Sequence, residues 1–544
     1  MRPSGRPGEL FEAFSRLTAG AFADDRLLAC PTLAKTPHSG DILGRFLRGD
    51  PYPALGPAGR LRLALRYGLS NGGHFCFLIL TRLFLVLLGW KAPVLGAASP
   101  ERKSGKGGAG RSPLEQNTAQ APLVILDSFA LLPEMAGNGC FRDGYLPGLE
   151  AALRQNGFQP VRLYRLYGSR NPRVLWKALK VLAAAGPGLI EAHLFSALDW
   201  LRLIRHCFAY PPALGRLIRS LERFACATPE AWIRGALILT SGQNILSGEA
   251  RRLAGLRLGE ALASRPLENP PARIISWYEN QTVDKAFQRG LAQAELLTGR
   301  HIPTLGAQLF IWPDTLLNNH PDDGEAALGL APDKILVNGP FFLPEKTRQN
   351  YALGPSLRYG HLFGPAACEY SDASRPSDSG RPLLVLLSYH PQETRRVLQL
   401  VLPLARQGRE LIYKFHPASR IADFASLLPS SPTLISGALM AALGKAGAVI
   451  GAGSGSLAEA AALGLPVLNV EDPSGIPGLA YLPGSYQGRL WESVLRSADL
   501  EPALARLRAF RQEPAWAEAV RAFRDLLFRE PTPETVREAF FPPC

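Results

Sequence analysis

From Leu123 onward the chain reads as short apolar runs separated by amphipathic segments. That alternation predicts strands and helices in turn, and hence parallel sheets built from βαβ units. The runs LVILD (123–127), PVRLYRLY (160–167), GALILTS (235–241), RIISWYENQ (273–281) and KILVNG (334–339) predict strands, and 146–156, 173–185 and 197–208 carry helical spacing. A second set begins after the polar, Pro/Gly/Ser-rich stretch 371–382. There LLVLLSYHP (383–391), ELIYKFHP (410–417), TLIS (433–436), AVIGA (448–452) and PVLNV (466–470) predict five strands. Four helices, at 393–406, 421–428, 438–445 and 457–463, fall between them, which is the signature of a doubly wound domain. Residues 500–528, rich in Ala, Arg and aromatic side chains at helical spacing, predict closing helices.

The first 120 residues have a different texture. Weak helical patterning at 10–17 and 61–67 is broken by Pro and Gly, and GGHFCFLILTRLFLVLLGW (72–90) then places two apolar arms around Thr81-Arg82. Spanning a bilayer takes about 20 apolar residues, and a central Arg costs about 2.5–3.5 kcal/mol on insertion scales. A helix lying at a membrane surface, with Arg60, Arg62, Arg66 and Lys91 at headgroup level, competes with a plain core helix, and a spanning helix is penalised. Residues 97–120 have almost no large apolar side chains and predict a linker. The expected division is an α/β chain: a mainly helical arm (1–96), a linker (97–120), a Rossmann-like domain (121–370), a linker (371–382) and a second Rossmann-like domain (383–544).

Charge sharpens the reading of the arm. The 544-residue chain is formally +14, and residues 1–120 hold 16 basic against 8 acidic side chains, so more than half of the excess sits in the first 120 residues. A basic segment of this kind suits anionic lipid headgroups. Of the 60 basic residues 49 are Arg, which together with abundant Ala, Gly and Pro also matches a biased base composition. No recognition-helix, zinc-finger or RNP pattern is visible, so nucleic acid is not an expected partner. The seven cysteines have no CxxC spacing and predict scattered thiols with neither a disulfide framework nor a zinc site. Residues 1–14 lack the apolar core of a secretory signal, and the expected location is cytoplasmic, peripheral on the inner face of the membrane through residues 60–91.

Ligands of open α/β sheets bind beyond the carboxyl ends of the strands. Three loops of the second domain end there. Ser388-Tyr389-His390-Pro391 is one, with His390 as a candidate substrate contact. In Lys414-Phe415-His416-Pro417, Lys414 and His416 lie two apart, on one face of the strand end, where ammonium and imidazole can meet one anionic group. In Gly451-Ala452-Gly453-Ser454-Gly455-Ser456, Gly453 and Gly455 allow close backbone approach to the start of a helix, Ser454 and Ser456 add hydroxyl donors, and Glu459 lies one turn on. A tight turn with a serine cap uses the same residues. GxGxxG is absent after the first strand and no acidic residue follows at ribose distance, so a nicotinamide cofactor is not expected, and neither Walker A nor DxD occurs.

The order of these motifs carries a resemblance. Tyr413–Pro417 and GSGSLAEAAALGLPVLNV (453–470) resemble the donor half of GT-B glycosyltransferases, in particular Kdo-transferase-like, sialyltransferase-like and glycerophosphotransferase-like enzymes of bacterial capsule and O-antigen synthesis. Trp277-Tyr278-Glu279-Asn280-Gln281, Gly306-Ala307-Gln308, PDKILVNG (332–339) and Leu357-Arg358-Tyr359 resemble surface carbohydrate biosynthesis proteins. The likeness covers 270–475 well, 120–270 loosely and 1–120 hardly at all. It implies a GT-B-like architecture in which His416 contacts the donor phosphate, Ser454 and Ser456 the nucleotide, and Glu459 the ribose, with Lys414 helping to neutralise the leaving group and no bound metal or other cofactor. Phe415 departs from the sialyltransferase-like motif, which leaves a CMP-sugar donor unsupported.

For an acceptor-side base the first domain offers Glu279, at the end of its strand, with Gln281 beside it. Burial between aromatic residues raises such a carboxyl. The competing role for Glu279 is a cap on a helix starting near 282. Asp127 is the reserve base, or else a partner for loop N–H groups. The expected activity is sugar transfer from a nucleotide-sugar donor to a glycan or lipid-linked acceptor. The alternatives are a sugar-nucleotide epimerase, a polyol-phosphate transferase, or a non-catalytic module of a polysaccharide assembly complex.

Overall fold

A computed structural model describes residues 6–35, 56–93, 95, 121–224, 228–266, 272–313, 316–320, 322–345, 347–364, 380–388, 390–416, 419–471 and 482–541. The expected 97–120 linker, and that at 371–382 apart from 380–382, lie outside the described residues. Two sheets form the chain's framework. The first runs β3-β2-β1-β4-β5-β6-β7, built from β1 (Leu123–Leu131), β2 (Gln159–Tyr167), β3 (Gly188–Ile190), β4 (Arg273–Trp277), β5 (Thr304–Gln308), β6 (Lys334–Val337) and β7 (Tyr351–Leu353). The second runs β10-β9-β8-β11-β12-β13, built from β8 (Leu383–Leu387), β9 (Leu411–Phe415), β10 (Thr433–Leu434), β11 (Ala448–Gly451), β12 (Val467–Val470) and β13 (Trp491–Val494). All pairings between these strands are parallel. Both sheets are Rossmann-like and doubly wound, and each reverses its winding beside its first strand, at β1/β4 and at β8/β11. Those switch points open the crevices that such sheets use for ligands.

Helices complete the layers. At the N-terminus α1 (Arg6–Ala21) and the turns up to Lys35 bury Leu10, Phe14, Phe22 and Leu33 in one cluster with Tyr210, Leu214, Trp232 and Ile233. The helical N-terminal segment is therefore part of the first domain's core. α2 (Pro57–Leu87) follows, and its buried Phe77 and Leu85 pack with Met135 of α3 (Leu132–Asn138). Then come α4 (Ala197–Ser220), α5 (Pro229–Thr240), α6 (Leu246–Ala263) and α7 (Thr282–Thr298). The run 235–241, read as a strand, lies in α5 instead. Thr228 caps that helix by accepting from the Ala231 N–H at 3.3 Å, Pro229 opens it, and Ile233, Ala236 and Leu237 face the N-terminal segment. Apolar runs of this length do not separate a buried helix from a strand, and here the flanking Thr-Pro decides.

α6 and α7 cross with glycines at their contact. A Cβ on Gly290 would overlap the Arg252 carbonyl, one on Gly255 the Phe287 carbonyl, and one on Gly259 would stand 2.5 Å from the Ala294 Cβ. Backbone meets backbone here, so no side chain can yield. Gly290→Ala is expected to cost at least about 1–3 kcal/mol through overpacking, seen as a lower urea midpoint, whereas Gly68→Ala, in open space on α2, lacks this clash.

In the second half α8 (Pro391–Arg406) and α9 (Ser456–Ala462) flank β8 and β11, and α10 (Trp516–Leu527) packs where the two halves meet. Tyr278, Trp312, Val337 and Tyr359 of the first half share that core with Leu384, Val449, Leu457 and Phe523 of the second. The closing helices do not all stay with 383–544. α11 (Pro533–Phe540) returns to the first sheet, burying Val536, Ala539 and Phe540 against Val124, Ile275 and Leu336.

Candidate functional site

β4 ends at the first switch point, and the five residues 277–281 then alternate sides as a strand end should. Tyr278 and Asn280 turn into the protein. The Tyr278 hydroxyl donates to Asn280 Oδ1 at 2.7 Å, and Asn280 Nδ2 donates to the Asn318 carbonyl at 2.6 Å. Asn280 has φ +52°, a left-handed turn that Asn tolerates, and it redirects the chain into α7. Glu279 sits on the other side, half-buried. Its Oε1 accepts from Trp277 Nε1 at 2.8 Å and its Oε2 from Gln281 Nε2 at 2.5 Å. The cap of α7 is made by other groups: Gln281 is the N-cap and Asp284 Oδ2 accepts from the Gln281 and Glu279 N–H groups at 3.0 and 3.1 Å. Glu279 is thus spared that duty. Burial pushes its carboxyl above the ordinary range, against the Trp277 hydrogen bond and with help from the Asp284 charge.

Beside it lies a cavity of about 220 Å³ at the end of β1, lined by Phe129, Phe141, Arg142, Tyr145, Arg358 and Glu134 among others. Tyr145 joins the two places: it lines the cavity, its ring meets Trp277 edge-on at 4.9 Å, and burial together with the Glu279 charge raises its phenol. Arg358 lies over the Tyr145 ring at 5.6 Å. Aromatic faces with two arginines suit a sugar ring that carries an anionic group.

Asp127 corrects both readings offered for it. It is fully buried and, among the described residues, accepts from side chains and from no loop N–H group. Arg165 meets it with two hydrogen bonds, at 2.8 and 2.5 Å, and Arg251 with one at 2.7 Å. Burial alone would raise its carboxyl, but the two guanidinium charges overcome that and hold it below the usual range. Arg165 also reaches Asp284 at 2.5 Å and the Trp277 carbonyl at 2.9 Å, so this buried network supports the turn that carries Glu279.

At the second switch point the structure gathers four loops. His416 follows β9 directly. Its N–H donates to the Leu387 carbonyl at 3.0 Å, extending the β8–β9 ladder by one rung, and partial desolvation lowers the pKa of its ring. Lys414 Nζ donates to the Gly437 carbonyl at 2.5 Å, which anchors it to the loop after β10 and separates its task from that of His416. Pro417 and Tyr389 lie outside the described residues. His390 is the N-cap residue of α8, its N–H donating to Ser388 Oγ at 3.1 Å. Ser419 Oγ and Thr394 Oγ1 both donate to the Ser388 carbonyl, at 3.2 and 2.7 Å, tying the β8 and β9 loops together.

The Gly/Ser loop after β11 turns at Gly453, φ +56°, and a Cβ there would fall 2.6 Å from Glu393 Oε2. Ser454 Oγ accepts from the Ser456 N–H at 3.3 Å, and Gly455 is the uncapped N-cap of α9. Glu393 is a neighbour that sequence reasoning missed. Its Oε2 is buried without a hydrogen-bond partner among the described residues, an acceptor aimed at the loop. Such a carboxylate opposes an anion placed directly on Gly453 and favours a hydroxyl there.

Glu459 is held from the other half of the molecule, its Oε2 2.9 Å from His361 Nε2. His361 belongs to the 3-10 segment Leu357–Leu362, whose Arg358 faces Tyr145 and Glu279. Six residues therefore connect the Glu279 side to the Glu459 side. The sequence pointed to 357–359 by resemblance only, and His361 was missed because its partner lies 98 residues away. Among the described residues no group of three His, Cys, Asp or Glu side chains is gathered for a metal ion.

No protein-family model and no curated protein matches the sequence. Solved structures share its shape distantly. UDP-GlcNAc 2-epimerase from Neisseria meningitidis bound to UDP-GlcNAc is 12% identical with a TM-score of 0.41, over 76% of this chain and 99% of that one. An α,α-trehalose-phosphate synthase (UDP-forming) from Burkholderia vietnamiensis is 16% identical with a TM-score of 0.40, over 77% and 98%. MurG from Acinetobacter baumannii is 10% identical with a TM-score of 0.38, over 77% and 99%. Likeness at this level adds nothing about chemistry to what the two sheets display.

Proposed function

We propose that the chain is a GT-B-type glycosyltransferase that moves a sugar from a nucleotide-sugar donor to a hydroxyl of a bacterial surface polysaccharide or its lipid-linked precursor, at the cytoplasmic face of the membrane. The observation that carries this reading is the joint between the two switch points. The 357–362 segment links a raised carboxyl after β4 to the Gly/Ser loop after β11. In the reaction Glu279 takes the proton of the acceptor hydroxyl as its oxygen bonds to the anomeric carbon. The bond from that carbon to the donor phosphate breaks, and the electron pair leaves with the nucleotide. His416 and the hydroxyls of Ser454 and Ser456 meet that charge in place of a metal and Gly455 lets the phosphate approach the backbone, while Lys414, tied to the Gly437 carbonyl, borders the donor and Gly453, faced by Glu393, takes a donor hydroxyl. Gln281 orients Glu279, His390 borders the donor, and Glu459, steadied by His361, takes the ribose hydroxyls.

The test has two stages. A ligand at about 100 times its Kd stabilises by about 2.7 kcal/mol, so the correct nucleotide in a thermal-shift screen raises the melting temperature clearly. The nucleotide sugar is then offered with and without glycan acceptors. Consumption only with acceptor supports transfer. Conversion of the donor alone assigns an epimerase, and the absence of any nucleotide shift assigns a non-catalytic module.

A further inference from the structure

Eleven of the seventeen exposed large hydrophobic side chains among the described residues lie on two helices, α2 and α4. On α2 they are spaced by three or four. Leu61, Leu65, Leu69, Ile79, Leu83 and Val86, with Gly72 and Cys76 filling the gap, make one solvent-facing stripe. From Leu61 to Val86 that stripe is about 38 Å long at 1.5 Å per residue. On α4 the exposed positions are Leu198, Leu201, Ile204 and Phe208, the last 77% exposed. An amphipathic helix on a water-facing surface turns its polar side outward, whereas both helices here carry apolar side chains on their outward sides as well as their inward ones.

The two stripes are neighbours. The Tyr67 hydroxyl donates to the Cys207 carbonyl at 2.9 Å, and the rings of Phe75 and Trp200 meet edge-on at 5.9 Å, so α2 and α4 run antiparallel. The opposite side of α2 is committed to the protein, with Phe77, Leu78, Thr81 and Leu85 buried and Arg82 NH1 donating to the Ala192 carbonyl at 3.2 Å. A helix pinned this way lies along a surface and does not cross a bilayer.

Charge selects the occupant. α2 carries Arg60, Arg62, Arg66 and Arg82 and no acidic residue. The one acid of α4, Asp199, is buried against Arg257 and Arg202, which leaves Arg205, Arg216 and Arg219 outward. Exposed apolar stripes with predominantly cationic flanks, where Asp24 near Arg216 and Glu222 beyond Arg219 are themselves paired with Arg26 and Arg234, complement a bilayer with anionic headgroups. A second copy of the chain would set arginine against arginine.

We infer that α2 and α4 together form a docking face for an anionic membrane surface, into which Leu201 and Phe208 of α4 insert alongside Leu65 and Leu69 of α2. Sequence spacing had pointed to 60–91 alone, and the α4 half of the face emerges from the fold. Met135 lines the first-half cavity and shares a core cluster with Phe77 and Leu85 of α2, so one apolar core joins the cavity wall to the helix that carries this face. Delivery of a lipid-linked acceptor rests on the proposed transfer reaction, and the membrane contact itself does not.

The experiment is co-sedimentation of the full chain with vesicles of phosphatidylcholine alone or with about one-third phosphatidylglycerol. Binding to the anionic vesicles is expected, weakened in about 1 M salt, where the Debye length is about 3 Å. Leu201→Asp with Phe208→Asp is expected to lose at least about tenfold in binding, while Leu296→Asp with Leu297→Asp, equally exposed on α7, changes nothing. Circular dichroism and transfer to a soluble acceptor report folding and chemistry separately. Equal binding by the Leu201/Phe208 variant, equal binding to neutral vesicles, or resistance to alkaline carbonate each overturns the inference. So does an absence of vesicle binding, and a dimer lost in the Leu201/Phe208 variant would then assign the face to a second copy.

Discussion

Glu279→Gln is expected to lower acceptor-dependent turnover by at least about 10²-fold, the usual weight of a general base, while the nucleotide-induced rise in melting temperature persists. The substitution keeps the volume and the Oε1 acceptor for Trp277 Nε1, replaces the Oε2 acceptor of Gln281 Nε2 by an amide donor that a flipped Gln281 amide can meet, and removes the ability to take a proton. The pH profile gives an independent check. Burial raises the Glu279 carboxyl, the base is the ionised form, and turnover therefore falls as pH drops through the raised value, above the ordinary Glu value of about 4.3. Stability carries the opposite sign. A carboxyl raised on folding contributes stability that is present below its unfolded pKa and lost as pH rises through its folded pKa, so the Gln variant is at least as stable as the parent at neutral pH. Measuring kcat from pH 5 to pH 9 alongside thermal melts separates the two effects. Near-parental turnover by Glu279→Gln removes this residue from the mechanism and leaves the cavity beside Tyr145 without a base.

Where each feature depends on neighbours in sequence, it was legible. LLVLL at 383–387 and AVIG at 448–451 are apolar at every position because helices cover both faces of the sheet, and they lie side by side as β8 and β11. Alternation along 277–281 puts Trp277, Glu279 and Gln281 on one side, and the structure keeps them together. Short edge elements left no pattern: β3 is only Gly188-Leu189-Ile190, and β7 is three half-buried residues. What stayed hidden depends on partners far along the chain. His361 meets Glu459, Glu393 meets the Gly453 turn, and the outward apolar face of α4 becomes visible only once its inward face is known. Lys35 is another case. It is fully buried at φ +57° and paired with Asp322 and Glu325 at 3.1 and 3.2 Å, so an arm that looked detachable is locked into the first domain by charges some 290 residues away.

Asp127 shows most sharply how such distance misleads, and it supports the second large prediction. A carboxylate closing the first strand of a doubly wound sheet looks like a reactive group. Here it lies between two guanidinium groups that arrive from β2 and α6, with Arg165 at 5% and Arg251 at 3% exposure. Removing one partner of a buried ion pair leaves the other charge under-compensated away from water, which costs about 3–5 kcal/mol where no other counterion remains. Asp127→Ala is expected to destabilise by about 3 kcal/mol, the lower end of that range, because Arg165 keeps Asp284 and the Trp277 carbonyl and Arg251 keeps Glu191. The pH dependence follows from the lowered carboxyl: its stabilisation is present above the unfolded pKa and lost as pH falls through the folded value, so the parent loses stability on acidification more steeply than the variant. A double substitution, Asp127→Leu with Arg251→Met, removes charge of both signs together and is expected to recover part of the loss, as exchange of buried ion pairs for apolar side chains often does. Activity should fall as well, since Arg165 holds Asp284 and the Trp277 carbonyl and so fixes the turn under Glu279. Urea unfolding followed by tryptophan fluorescence measures the stability term directly. A parental midpoint for Asp127→Ala together with lost turnover would restore Asp127 as a base, whereas a lowered midpoint with a parental pH profile in the folded fraction assigns it to the scaffold beneath the site.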